Sequence, residues 1–278
     1  MPYRYQTLEK LMRGYEATGV PLVGSDGHVL SAEPYVDAGA GLYYLVPLIG
    51  RTFHVPLDTA LAIYTAAAVG IGLVFGVVGA FLLFRSPWAR ASAVLGIGLV
   101  SAACYRFGEG YLCGAVAVLA TIPLFLYLYR RGRTGPLLVA LAATGLLVGV
   151  ADQIRSLIGA PVLLFILLVL ALDTAGAWRR RALCAAVLLL GCAVPYAYGA
   201  HLVRQRDAYV STMANARRPA VLGDALWHPM YLGLGYLPNR YGITYSDMAA
   251  VNRVRTVDPS APYLSPRYTD ILRRAVGG

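Results

Sequence analysis

Charge is scarce in this chain. Of its 278 residues, 14% are Asp, Glu, Lys or Arg and 58% are hydrophobic, whereas about a quarter of a soluble domain is charged. A water-soluble fold of this length could not solvate so much apolar surface. That excludes a cytosolic enzyme, a disordered chain and a small disulfide scaffold, and it indicates an integral membrane protein. Lysine is nearly absent: Lys10 is the only one, and every other basic residue is arginine. Together with the many alanines and glycines, this reflects a GC-rich coding bias more than a demand for guanidinium chemistry. The formal charge of +10 would suggest nucleic acid in a soluble protein. Here the placement of the charges says more than their sum, and no nucleic-acid partner is expected. The four cysteines have no metal-ligand spacing. Cys104 and Cys113 could face each other across a short turn, but all four read most simply as small apolar helix residues. His54 and His201 are isolated, and neither a metal nor a cofactor is expected. No repeat of fixed period and no low-complexity tract is evident.

What the chain does have is long apolar runs. A spanning helix needs roughly 20 mostly apolar residues. Six stretches qualify, at about 57–84, 89–105, 111–129, 135–151, 157–175 and 182–200. They divide the chain into a polar, tyrosine-bearing segment 1–56, a six-helix transmembrane region 57–200 and a second polar segment 201–278. The expected class is an all-α polytopic membrane protein. Glycines 72, 76 and 79, and 96 and 98, resemble small-residue faces through which helices approach closely in lipid; ordinary membrane-helix glycine fits them equally well.

The arginines give the orientation. Arg85 and Arg90 follow the first span, Arg130, Arg131 and Arg133 the third, and Arg179, Arg180 and Arg181 the fifth. Positive charge concentrated in alternate loops, with no acid among it, marks the cytoplasmic side. Both termini then face outward from the plasma membrane, and nearly all the acids lie on or near that outer side. Asp173 is the exception, one turn before the cytoplasmic arginines, where it is expected to reach toward Arg179 or Arg180. An external segment 1–56 without a leader ahead of it suggests a fragment that lacks an upstream helix.

Ionisable groups at membrane depth usually mark ion or substrate paths, and the spans carry almost none. The polar chemistry collects instead in three outer clusters. The first is Ser25-Asp26-Gly27-His28 with Glu33 and Asp37, followed by an apolar stretch from Gly41 to Arg51. That stretch suits a helix lying in the interface, which would hold Asp26 and Asp37 near the headgroups. A carboxylate there can act as general base on an acceptor hydroxyl; turn-forming Asp-Gly in a solvated loop is the plainer reading. The second cluster is Asp152-Gln153-Ile154-Arg155. At i and i+3, Asp152 and Arg155 share a helix face and can pair, and the arginine fork also suits a lipid-linked phosphate. The third runs from Trp227 to Asp247 and is rich in Gly and Tyr. It reads as an ordered loop holding His228, Asn239 and Asp247, with rings at headgroup level.

Gly41-Leu42-Tyr43-Tyr44 through Pro47-Leu48-Ile49-Gly50, Ile154-Arg155-Ser156 with Gly159, and above all His228 to Asp247 resemble bacterial polytopic membrane proteins that are in turn similar to C-type (GT-C) glycosyltransferases. The resemblance implies a many-helix enzyme that takes sugar from a polyprenyl-phosphate donor, with its catalytic acid in the first external loop. Segment 1–56 matches that loop. Asp26, slightly favoured, and Asp37 are the implied candidates for the acid, although the adjacent acidic pair common in that loop is absent. Arg155 and His228 would bind the donor phosphate, with Asp152, Asn239, Asp247 and Arg51 around the substrate. The expected partners are a polyprenyl-phosphate-linked sugar and membrane lipid. Two rivals remain at this level: a lipid or polysaccharide transporter, which should show broken helices meeting at the midplane, and a non-catalytic membrane scaffold.

Overall fold

The computed structural model describes residues 2–27, 29–32, 40–106, 117–132, 134–154, 158–173, 177–213, 227–236, 243, 246–263 and 265–277. They are almost entirely helical and divide into two compact units, 1–217 and 218–278. Among the described residues, three helices are long and apolar enough to cross a membrane: α3 (Leu57–Leu83), α6 (Thr134–Ile154) and α8 (Trp178–Ser211). Only 22%, 44% and 33% of their most apolar windows are buried. A soluble core helix would hide that surface; a lipid-facing helix exposes it. The other three expected spans correspond to α4 (Pro87–Arg106), the shorter apolar helix Ala117–Arg130, whose regular part is α5 (Ile122–Arg130), and α7 (Ala160–Leu172).

The segment 1–56 is more structured than its polarity suggests. It opens with α1 (Pro2–Thr18), then a two-stranded antiparallel hairpin of β1 (Val23–Ser25) and β2 (Leu30–Ala32), then α2 (Ala40–Phe53). In α1, Leu8, Leu11 and Met12 repeat at helical spacing and are buried against Tyr43, Tyr44 and Val46 of α2, with Leu57, Ala60 and Tyr64 of α3 in the same core. Gly19, at φ +71°, ends α1 in the left-handed conformation that an L side chain disfavours, and its amide donates to the Tyr15 carbonyl at 2.9 Å. The apolar stretch 41–51 does form a helix, but its Tyr43–Val46 side faces α1 and α3 as protein core.

Helices α6 and α8 form the centre of the first unit. Leu137, Leu141 and Val148 of α6 pack with Cys184, Leu188 and Cys192 of α8, and with Val162, Ile166 and Leu170 of α7. Pro195 lies inside α8, where it cannot donate a helix hydrogen bond. The Gln153 side-chain amide reaches across from α6 and donates to the Pro195 carbonyl at 2.8 Å. The expected boundary at residue 200 falls inside α8, which continues to Ser211. Beyond residue 200, Leu202, Arg206 and Val210 recur every four residues and are buried. Leu202 joins the α1–α2 core and Val210 packs on Val23 of the hairpin. Tertiary packing thus carries the helix past the end of its apolar run.

The glycine faces are partly as expected. A Cβ on Gly76 would stand 3.0 Å from Ile97 of α4, and one on Gly79 would stand 2.7 Å from Pro123 of α5; at Gly96 and Gly98 nothing lies within 4 Å. The tighter seam is elsewhere, between α6 and α8. At the arginine-bearing end of the unit, Asp173 accepts a hydrogen bond from the Tyr129 hydroxyl, and the Arg180 guanidinium lies over the Tyr129 ring, 5.3 Å from its centroid. Asp173 and Arg180 thus share Tyr129 as a partner. Cys113 and the Cys104 side chain lie outside the described residues; Cys184 and Cys192 are free and buried.

The second unit is a small bundle of α9 (Trp227–Leu234), α10 (Asp247–Val257) and α11 (Pro266–Gly277) around Tyr231, Leu232, Ala250, Val254, Tyr268 and Leu272. The stretch expected to be a loop therefore begins as a helix. Pro229 is accommodated because it lies in the first turn, where amide donors have no helical partner. Ser246 caps α10, its hydroxyl accepting from the Met248 amide at 3.3 Å.

Candidate functional site

Asp26 sits at the tip of the β1–β2 hairpin. Its amide donates to the Val29 carbonyl at 3.2 Å, and Gly27 follows at φ +89°, so the turn needs the Asp-Gly pair. The carboxylate projects from the turn and meets the Lys10 ammonium of α1 at 3.0 Å, with 54% of the Asp26 side chain exposed. An accessible carboxylate is what a general base requires. Lys10 is the residue at this place that sequence reasoning missed. Its being the sole lysine was noted, but nothing in the spacing to Asp26 tied a helix face to a hairpin tip.

Arg51, in the last turn of α2, lies 4.5 Å above the Tyr15 ring of α1, a cation–π contact. Near the start of α1, the Tyr5 hydroxyl donates to Asp58 of α3 at 3.0 Å. That bond, followed by slight burial and the charges of Asp58 and Glu9, raises the Tyr5 pKa. Polar ties thus link α1 to the hairpin, to α2 and to α3. Arg206 of α8 is fully buried near this layer, and its guanidinium binds the Asp207 carboxylate at 2.8 Å.

Asp152, in the last turn of α6, has two partners among the described residues. Its carboxylate accepts from the Gly159 amide at 2.5 Å and from the Tyr196 hydroxyl of α8 at 3.1 Å. It therefore joins the α6–α7 connection to α8. Arg155, Asp37 and Asn239 lie outside the described residues, as does the side chain of Asp247, the first residue of α10. His228 is buried in the second unit; its Nδ1 and the Tyr268 hydroxyl are 2.9 Å apart, and the Tyr263 ring meets it edge-on. Within the first unit Asp26, Arg51 and Asp152 each have their own contacts, respectively with Lys10, Tyr15, and Gly159 with Tyr196. Among the described residues there is no group of three or more His, Cys, Asp or Glu that could hold a metal ion.

Next to this polar layer lies an apolar cavity of about 260 Å³. Leu45 and Ile49 of α2 form one wall, Tyr64 and Ala68 of α3 another, and Ala151 and Ile154 of α6 a third. Its lining is almost wholly apolar, and it reaches Ile154, two residues beyond Asp152. The arrangement can accommodate a hydrocarbon chain against small and aliphatic side chains. No family model, curated protein or solved structure matches the chain.

Proposed function

We propose that this chain is a membrane-embedded, glycosyltransferase-like protein that moves a sugar from a polyprenyl-phosphate donor to an acceptor hydroxyl at the outer face of the plasma membrane. The observation that carries the reading is the apolar cavity bounded by α2, α3 and α6. It offers the prenyl chain a hydrocarbon environment close to the segment that holds Asp26. In this reading α4, the helix 117–130 and α7 complete six crossings in a GT-C-like bundle, the arginine loops face the cytoplasm, and both termini are external.

The chemistry follows from the residues assigned. Asp26, or Asp37, takes the proton of the acceptor hydroxyl as its oxygen attacks the anomeric carbon. The bond from that carbon to the phosphate oxygen breaks, and polyprenyl phosphate leaves with the electron pair. Direct displacement inverts the anomeric centre. Arg155 supplies fixed positive charge to the departing phosphate, and His228 is the second candidate for a donor to it. Asp152, Asn239, Asp247 and Arg51 are substrate-side groups. The Lys10 ammonium, 3.0 Å from Asp26, holds the carboxylate at the hairpin tip.

The test is transfer of labelled sugar from polyprenyl phosphate in membranes containing the protein. The parent should transfer; Asp26→Asn or Asp37→Asn should lower the rate by about 10²-fold or more, the range for loss of a general base. No transfer by the parent, or full transfer by both variants, would sink the reading.

A further inference from the structure

A second apolar groove, of about 480 Å³, lies between α3, α4 and the residues leading into α5. Its volume falls in the roughly 300–1,000 Å³ range of ligand pockets. It is independent of the transferase reading and approaches the opposite, arginine-bearing end of the unit. Small residues create it. Gly76, Gly79 and Ala80 of α3 face Ala93 and Gly96 of α4, and Gly96 has nothing within 4 Å of where a Cβ would stand. The groove-facing positions of α4, 93, 96, 97 and 100, follow helical spacing. Continued one turn toward the N-terminus, the same face arrives at Arg90.

The groove's end is cationic. Leu83 and Phe84 line it, and Arg90 is fixed there, its Nε donating to the Phe84 carbonyl at 2.7 Å and its guanidinium lying 5.2 Å from the Phe81 ring centroid. Arg85, exposed, is next in the chain after Phe84. Trp88, between the two arginines, is 83% exposed, which suits an indole at the level of lipid headgroups. No carboxylate lies between Leu83 and Arg106. A hydrocarbon-lined slot with Arg90 held at its end, and Arg85 next in the chain to its lining residue Phe84, complements one kind of molecule: an apolar chain ending in an anion.

We propose that this groove is a binding site for an anionic phospholipid, with one acyl chain along Gly76, Ala80 and Gly96 and the phosphate at the Arg85–Arg90 turn. Guanidinium groups bind phosphate oxygens through paired N–H donors, and a juxtamembrane cation attracts anionic lipid even before the chain inserts.

The test is native mass spectrometry of the full chain in detergent, titrated separately with phosphatidylglycerol, with phosphatidylcholine of the same acyl chains, and with free glycerol phosphate. The parent should retain one phosphatidylglycerol with at least about tenfold preference over phosphatidylcholine, whose choline cation cancels the net negative charge that draws the arginines, and should not retain glycerol phosphate, which has no chain for the groove. Arg85→Gln, alone and with Arg90→Gln, should reduce that preference toward parity. Gly96→Phe should abolish retention of the lipid while leaving the helical circular dichroism intact, since open space receives the ring. Equal retention of the two lipids by the parent would overturn the proposal. So would unchanged retention in a folded Gly96→Phe variant, binding of glycerol phosphate alone, or a dimer with no lipid bound.

Discussion

Gly149 of α6 lies so close to Cys192 of α8 that a Cβ on the glycine would stand 2.5 Å from the Cys192 carbonyl oxygen. One turn and more away, a Cβ on Gly191 would stand 2.7 Å from the Ala142 carbonyl oxygen. The two helices meet backbone to backbone, as small residues permit in lipid. Gly149→Val should therefore destabilise the protein by about 1–3 kcal/mol through overpacking. Gly96→Ala, which enters open space, should cause no loss. Thermal unfolding in detergent, followed by size-exclusion chromatography, separates the two.

Gln153 is buried at the same seam, donating to the Pro195 carbonyl, while its Oε1 has no hydrogen-bond partner among the described residues. An unpartnered buried acceptor is costly, and removing it offsets part of the lost donor bond. Gln153→Leu should thus be tolerated to within about 1 kcal/mol. Gln153→Glu should cost more, because it places a carboxylate where only an acceptor carbonyl faces it. The order of the two unfolding temperatures is the readout, and the reverse order would contradict this account of the contact.

Asp258 closes α10. The Ser260 hydroxyl donates to it at 2.6 Å and holds its pKa below the ordinary value; burial works the other way, while the Ser260 amide and Arg267 lower it further. The folded state therefore favours the ionised form. Its contribution is complete above the unfolded value of about 3.9 and is lost as pH falls through the still lower folded value. Asp258→Asn should resist proteolysis of 227–277 less well than the parent at neutral pH. The difference should close as the pH falls below about 4.

His228 and Tyr268 test the division between packing and substrate roles. Because the ring is buried and bonded to the Tyr268 hydroxyl, His228→Ala should cost about 1–3 kcal/mol through loss of that buried bond and of the ring's packing. Tyr268→Phe should cost less. Proteolytic susceptibility of the second unit measures both. A stable His228→Ala variant with a raised KM for the donor would instead mark His228 as a phosphate ligand alone.

The apolar runs made α3, α6 and α8 legible, and the stretch 41–51 made α2 legible, because length and hydropathy are local properties. Helix α1 was not read, since Leu8, Leu11 and Met12 sit among polar residues and gain their meaning only against Tyr43 and Val46. The end of α8 was misplaced for a related reason: apolarity falls off at residue 200, but packing of Leu202 and Val210 does not. At the candidate site, Asp26 is legible as an acid of the cluster that precedes the apolar stretch 41–51, whereas its lysine partner comes from a helix 16 residues earlier. Glycines occur in most of the spans, and only the positions of neighbouring backbones distinguish Gly149, in a helix crossing, from Gly96, in a groove.

Sidedness is the claim on which the outer-face transferase most directly depends. In a cysteine-free background, single cysteines replacing Ser211, at the end of α8, and Arg131, after α5, are exposed in intact cells to a membrane-impermeant maleimide. The account predicts labelling at 211 and none at 131 until the membrane is permeabilised. Labelling at 131 with protection at 211 would place Asp26 and its neighbours in the cytoplasm and contradict it.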